Sequence, residues 1–265
     1  MRLYASSTLL WGKTFEEMCQ QVAKMGLQGI ELWAEQAWHQ HFSIDEIEKL
    51  IKQYGLKLSL HAASWDLNLC SLNKGIRRQS IHEIERSIAM ASSLPALNVT
   101  IHPGKRTLTP AWTNWHMQCL QEAIDHLEEF AQLYGVTLSI ELMESVNKEF
   151  VTIPDVMNEL VENRTDTIMT TFDVAHIPIH ADPLLYFKKL ERINKIHLSD
   201  SRPDSYHVPL GEGQIQLIPI LNEIVHHDLP IVLEGYDPNG QNQTLEKHVT
   251  YLRNCFLDEE KVMIR

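Results

Sequence analysis

Six short segments of the chain each carry, at or near their end, a residue that can hold a metal ion or move a proton. His61 lies at the end of LKLSLHA (56–62) and His102 at the end of NVTIHP (98–103). Glu141 sits in TLSIELM (137–143), Asp173 ends IMTTFD (168–173), His197 lies within KIHLSD (195–200), and Glu234 sits in IVLEGY (231–236). Taken singly, each has an ordinary explanation. A lone histidine is more often a hydrogen-bonded structural group than a ligand, and Asp173 alone can cap a following helix. Glu141 follows Ile140 and Glu234 follows Leu233; a glutamate buried among such neighbours needs a counter-charge or a metal. Recurrence at equivalent segment ends is what joins the six into one expected site.

Imidazoles mixed with carboxylates suit Mn²⁺, Co²⁺, Fe²⁺ or Zn²⁺ better than a thiolate-based structural site does. The minimal ligand set is Glu141, Asp173, His197 and Glu234. Such a site can bind two adjacent oxygens of a hydroxy-ketone and stabilise an enediolate. Glu141 and Glu234, expected on facing sides of the site, can then remove and return a carbon-bound proton. Adding His61, His102, His176 and His207 changes the picture, because the same rim then has ligands for two or three Zn²⁺ ions. Clustered metals clamp the attacking and leaving oxygens in phosphodiester cleavage. Both chemistries remain open at this point.

The elements that must position these residues can be read from the pattern around them. Two further β-rich runs, RLYASS (2–7) and GIELW (29–33), bring the expected strands to eight. Helical patterns separate them. TFEEMCQQVAKMG opens with a Thr14/Glu17 capping pair and closes at Gly26; SIDEIEKLIKQYG opens with Ser43/Glu46 and closes at Gly55. Further helices are expected at 76–93, 115–134, 154–163, 183–193, 215–227 and 241–256. Alternating strands and helices imply parallel strands with helices outside, and eight units imply a closed (β/α)8 TIM barrel, an open doubly wound sheet being the alternative. In a barrel all the strand ends meet at one rim, where active sites form.

The 265 residues, 44% of them hydrophobic, match one such barrel, with no spacer to divide them, so a single domain over 1–265 is expected. The formal net charge of −12 repels polyanions and makes nucleic acid an unfavoured partner. Cysteines at 19, 70, 119 and 255 form no CxxC, and no apolar run reaches the length of a membrane span. With no signal-peptide pattern at the start, a reducing, cytoplasmic setting without membrane contact is expected.

In order along the chain, LSLHA (58–62), TIHPG (100–104), SIELM (139–143), TFDVAH (171–176), KIHLSDSR (195–202), HVPLGEG (207–213) and LEG (233–235) resemble the xylose isomerase-like barrel superfamily. That group includes sugar and sugar-phosphate isomerases, ketose 3-epimerases, inosose dehydratases and apurinic-site endonucleases. The resemblance implies a metal-dependent isomerase or epimerase of a sugar, sugar phosphate or related polyol, with an inosose dehydratase-like lyase or a zinc endonuclease as alternatives. It implies metal binding by Glu141, Asp173, His197 and Glu234, with both glutamates as acid/base groups. One divalent ion is expected, Mn²⁺ first, with Co²⁺, Mg²⁺, Fe²⁺ or Zn²⁺ as alternatives. His176 resembles a substrate-oxygen ligand of epimerases and a zinc ligand of endonucleases. His61 and His102 match zinc ligands of the latter, and His207 stands at the rim, to grip substrate or hold an additional metal. All four are carried forward as substrate contacts, with Glu149 of NKE (147–149) and Arg202 beside them. The partner implied is a small carbohydrate, with a homo-oligomer common in such enzymes.

One departure bears on the choice. Endonucleases of this group place Asp-x-His ahead of the Gly-x-Gly, whereas DSYH sets Asp204 three residues before His207 and leaves Ser205 in the aspartate's place. This tilts the reading from DNA repair towards carbohydrate chemistry. Gly211 and Gly213 are expected to form a tight turn beside the site. Trp11, Trp33, Trp38 and Trp65 have two readings: walls of a sugar pocket, or packing against helices and a partner subunit.

Overall fold

A computed structural model describes residues 1–238 and 240–256; the last nine residues of the expected 1–265 domain lie outside them. Eight parallel strands close into a barrel. They are β1 (Arg2–Ser6), β2 (Gly29–Trp33), β3 (Lys57–His61), β4 (Ala96–Ile101), β5 (Leu138–Glu141), β6 (Ile168–Asp173), β7 (Ile193–Leu198) and, after an excursion, β10 (Pro230–Leu233). Their order around the ring is β1-β10-β7-β6-β5-β4-β3-β2, so each strand pairs with its neighbours in sequence and β10 closes on β1.

Alternation along the strands separates two environments. Ile30 and Leu32 of β2, Leu58 and Leu60 of β3, and Ile196 and Leu198 of β7 join the apolar core. The residues between them are polar and equally buried: Glu31, Ser59, His61, Lys195 and His197. Period-two geometry places these on the opposite strand face, inside the barrel. The apolar faces meet helices α1 (Phe15–Lys24), α3 (Ile44–Tyr54), α4 (Lys74–Ser92), α5 (Thr113–Tyr134), α6 (Pro154–Val161), α7 (Pro183–Lys189), α8 (Leu217–Ile224) and α9 (Gln243–Phe256). A short helix α2 (Ala34–His39), absent from the sequence expectations, follows β2 directly.

The expected helix signals are in place. Thr14 and Glu17 form the reciprocal capping box of α1. Ser43 accepts from the Glu46 amide at the start of α3, and Gly55 ends it in a left-handed conformation. The seventh strand differs from expectation: it stops at Leu198 rather than running to residue 200. Asp200 instead opens an antiparallel hairpin of β8 (Asp200–Arg202) and β9 (Ser205–Val208).

Asp200 also anchors the chain beyond the hairpin. Its Oδ1 accepts from the amides of Ser201 (2.8 Å) and Ile215 (3.1 Å), and its Oδ2 from those of Gly211 (3.1 Å) and Gly213 (3.0 Å). Four backbone donors on one buried carboxylate tie the GEG turn to the hairpin base. Gly211 has a φ of 80°, and a Cβ on Gly213 would drive into the Asp200 carboxylate. Replacing Gly213 by Ala should therefore destabilise the fold by about 2 kcal/mol. Denaturant titration of the purified variant measures this; an unchanged midpoint would show that the turn yields without cost.

Candidate metal centre

The strand ends deliver the expected residues to one rim. His61, Glu141 and Asp173 are the last residues of β3, β5 and β6, His197 is the penultimate residue of β7, and His102 and Glu234 stand one residue past β4 and β10. Asp173 pairs in register with His197, and His197 with Val232, which sets the heights of adjacent side chains. Glu141 and Glu234 do not lie across the ring from one another. Their strands are separated only by β6 and β7, so the two carboxylates bracket Asp173 and His197.

Three overlapping groups have donor atoms within 4.8 Å of one another: Glu141, Asp173, His197 and Glu234; His61, His102 and Glu141; and Asp173, His176 and His207. Glu141 and Asp173 are shared. His197 Nδ1 lies 2.8 Å from Glu234 Oε2 and 3.3 Å from Glu141 Oε1. The Glu141 carboxylate also meets His102 Nε2 at 3.2 Å and His61 Nε2 at 3.4 Å. On the other flank, His176 Nε2 is 3.2 Å from His207 Nε2 and 3.4 Å from Asp173 Oδ2. His207 adopts a φ of 55°, a conformation uncommon outside glycine, which brings its ring to the rim.

The central group fits a divalent cation. Asp173 Oδ2, His197 Nδ1 and Glu234 Oε2 are buried without a directed hydrogen bond, despite the close approach of their neighbours. A purely structural polar cluster satisfies such atoms; this one gathers them with Glu141 so that all four ligand atoms lie within 4.8 Å of one another. The charges agree. Burial, Glu234 and Glu141 push the Asp173 carboxyl well above the usual aspartate range. Burial opposes ionisation of Glu141, but His197, His102 and His61 hold it well below the usual range. Burial likewise opposes protonation of His197, yet Glu234, Glu31 and Glu141 raise it well above an ordinary imidazole. Three carboxylates crowded together in this way need positive charge beside them, which a dication would supply.

Two buried residues that the sequence reading did not single out lie beneath this group. Glu31 Oε1 is 2.8 Å from His197 Nε2, and its Oε2 meets Lys195 Nζ and accepts from Ser59 Oγ (3.1 Å). Lys195 also donates to Asn98 Oδ1 at 2.9 Å. Burial opposes ionisation of Glu31, but Lys195 and His197 bring its pKa down to about 2. With Nε2 facing Glu31, Nδ1 is the nitrogen turned to the cluster. The signal was present in spacing: Glu31 alternates with Ile30 and Leu32, and Lys195 precedes His197 by two.

Above the cluster opens a cavity of about 820 Å³, its lining including Trp33, His102, Glu141, His176, His207 and Glu234. Three expected substrate contacts stand elsewhere. His61 is wholly buried against Trp33, with its nitrogens facing the Ala62 carbonyl and Glu141. Arg202 is exposed, and its guanidinium donates to the Glu212 carbonyl (2.7 Å) and faces the Glu212 carboxylate. Glu149 lines a smaller neighbouring pocket of about 50 Å³ that shares only His102 and Met143 with the main one. Burial and then Glu144 raise Glu149 to about 7. Asp204 lies exposed in the turn between β8 and β9, outside all three groups, whereas Ser205 lines the cavity two residues before His207. His39 and His41, close together in the stretch WHQH (38–41), belong to none of these ligand groups among the described residues.

The sequence profile of the xylose isomerase-like TIM barrel family matches residues 19–255. An uncharacterized protein of Methanocaldococcus jannaschii is 24% identical over 234 residues, 83% of this chain and 79% of its own. A probable endonuclease 4 of Natronomonas pharaonis is 26% identical over 201 residues, 68% of this chain and 70% of its own. Among solved structures, a D-tagatose 3-epimerase-like protein superposes with a TM-score of 0.80 at 22% identity, covering 96% of this chain and 98% of that one.

Replacing Glu31 by Gln should weaken binding of Mn²⁺ or Zn²⁺ by about 10- to 100-fold, because the ring of His197 loses the carboxylate facing it. Competition against a chromogenic chelator reads the affinity directly; an unchanged constant would confine Glu31 to balancing Lys195.

Proposed function

The chain belongs to the xylose isomerase-like TIM barrel family, and from that premise we propose that it is a divalent-metal-dependent isomerase or epimerase of a small carbohydrate. One observation carries the reading: two buried glutamates, Glu141 and Glu234, bracket Asp173 and His197 at the floor of a cavity large enough for a sugar. Glu141, Asp173, His197 and Glu234 would hold the ion. When bound, such an ion polarises a substrate carbonyl and favours the enediolate formed by loss of the adjacent proton. Mn²⁺ suits three carboxylates and one imidazole, with Co²⁺, Mg²⁺, Fe²⁺ and Zn²⁺ as alternatives.

The chain's own residues supply the rest. Glu141, held ionised by His197, His102 and His61, is equipped to take the proton from the substrate carbon. Glu234, on the other side of the cluster, returns one after taking up a proton from the solvent in the cavity that it lines. His102, His176 and His207 line the cavity and offer ring nitrogens to substrate oxygens, whereas the buried His61, its nitrogens turned to Ala62 and Glu141, supports Glu141 from behind. We assign Arg202 and Glu149 no direct part in this step; Glu149 serves a neighbouring pocket. The whole of 1–265 acts as one barrel domain in this reading. The four free thiols suit the reducing cytoplasm, and no described helix is long and apolar enough to cross a membrane.

A second reading has a specific observation behind it. The His61/His102/Glu141 and Asp173/His176/His207 groups flank the central one and give room for further metals, as phosphodiester hydrolysis by clustered Zn²⁺ uses. Against it stand the net charge of −12 and the outer group, where Ser205 offers a hydroxyl in place of a carboxylate.

Two measurements separate the readings. Elemental analysis after reconstitution should give one Mn²⁺ or Co²⁺ per active chain; two or three tightly held Zn²⁺, with chelator-sensitive cleavage of an abasic-site duplex, would transfer the chain to the hydrolases. In deuterated buffer with a panel of ketoses, Glu141→Gln should lower carbon-bound proton exchange by about 10²- to 10⁴-fold. Exchange at the parent rate would remove the base role from Glu141, and irreversible loss of water would mark a lyase.

A further inference from the structure

The cavity does not end at the cluster. On the side formed by the loops after β1, β2, β3 and β10 it continues into a group of aromatic rings. Trp33 stacks on His61 with ring centres 3.7 Å apart and planes within 4°, so it is fixed against the cluster wall. Trp65 packs on Trp33 at 5.4 Å and on Trp11 at 5.5 Å, and Tyr236 meets Trp11 at 5.8 Å. Trp11 is the hub, its other contact being His39, stacked at 5.9 Å. Trp65 and Tyr236 both line the cavity and are 44% and 53% exposed. The ring group therefore begins beside a candidate metal ligand and runs outward to two uncovered aromatic faces.

The rings are held in place rather than draped on the surface. The Trp65 amide donates to Glu35 Oε1 at 2.9 Å. Before Tyr236, the Gly235 carbonyl accepts from Thr8 Oγ1 at 2.6 Å, and after it the Asp237 amide donates to the Thr8 carbonyl at 3.2 Å. At the inner end the buried Trp33 closes the ring group where it meets the cavity. At about 820 Å³ the cavity lies towards the upper end of the roughly 300–1,000 Å³ of sites that enclose drug-sized ligands, beyond the needs of one monosaccharide.

We propose that Trp65 and Tyr236, backed by Trp11, form a second subsite that stacks a sugar ring attached to the reacting ketose, so that the substrate is a glycosylated ketose of disaccharide size. The inference rests on the carbohydrate reading of the cavity. Flat aromatic faces recognise any ring with an apolar face, an aryl group included. A sugar is favoured here because polar residues suited to its hydroxyls, Thr244 and Ser205 among them, line the same cavity as the rings.

Calorimetry on the full chain with excess Mn²⁺ tests the subsite without requiring turnover. Isomaltulose and lactulose, both glycosylated fructoses, are compared with fructose, and 4-nitrophenyl glucoside with glucose. At least one disaccharide should bind about tenfold more tightly than fructose, and Trp65→Ala or Tyr236→Ala should remove most of that advantage. Trp65→Phe should restore part of it, which a folding defect in the alanine variant would not explain. Equal binding of both disaccharides and fructose, no binding of any sugar, or an advantage that survives both alanine variants overturns the subsite. A gain confined to the aryl glucoside overturns its assignment to a sugar ring. If the Trp65-dependent gain is present but no ketose exchanges a carbon-bound proton, the subsite stands and the isomerase reading falls.

Discussion

The interior of this barrel is arranged around a buried ion pair. Lys195 and Glu31 meet with no solvent access, and on the far side of Glu31 stands His197. Taking such charges out of water costs several kcal/mol per ion unless each is matched. Here the match is extended: Asn98 accepts a second hydrogen bond from the lysine, and Ser59 donates one to the carboxylate. The cation beneath the cluster offsets one carboxylate below it. The three carboxylates above are left to be balanced by imidazoles, protons or a metal.

That electrostatic layer explains the shape of the site. A parallel barrel with an apolar interior offers a packed plug of branched side chains. This one instead carries Glu31, Ser59, Asn98 and Lys195 at mid-height, then His61, Glu141, Asp173 and His197 at the rim. Stability comes from the other strand faces, where Ile30, Leu60, Ile196 and their neighbours pack against helices. The division lets the inner face be almost wholly polar without weakening the shell that holds it. A site on strand ends inherits the register of the sheet, so main-chain pairing governs the positions of its donor atoms more than any loop does.

Legibility in the sequence reflects the same division. The eight strands, and the convergence of Glu141, Asp173, His197 and Glu234 on one rim, could be read because polar residues interrupting apolar runs at strand ends leave a local mark. Lys195 and Glu31 leave a weaker one: their meaning comes from contact across 164 positions in sequence, which alternation suggests only once both strands are placed. Arg202 and Glu149 stand outside the main cavity for another reason. Both lie in segments beyond the strand ends, where side-chain direction depends on turns and hairpins that no period governs. The hairpin at 200–208 is the clearest case, because KIHLSD reads as one strand until Asp200 is seen gathering four amides.

The hairpin also carries the choice between chemistries that the barrel leaves open. His207 reaches the cluster and Ser205, two residues earlier, lines the same cavity, while Asp204 is left in the exposed turn. A single-residue offset thus exchanges a carboxylate for a hydroxyl beside Asp173, His176 and His207. The anchor of that register is Asp200, whose carboxylate fixes both the start of β8 and the GEG turn beyond β9. The strands therefore set the central group, while the clamp on Asp200 sets how completely the outer group can hold a second ion.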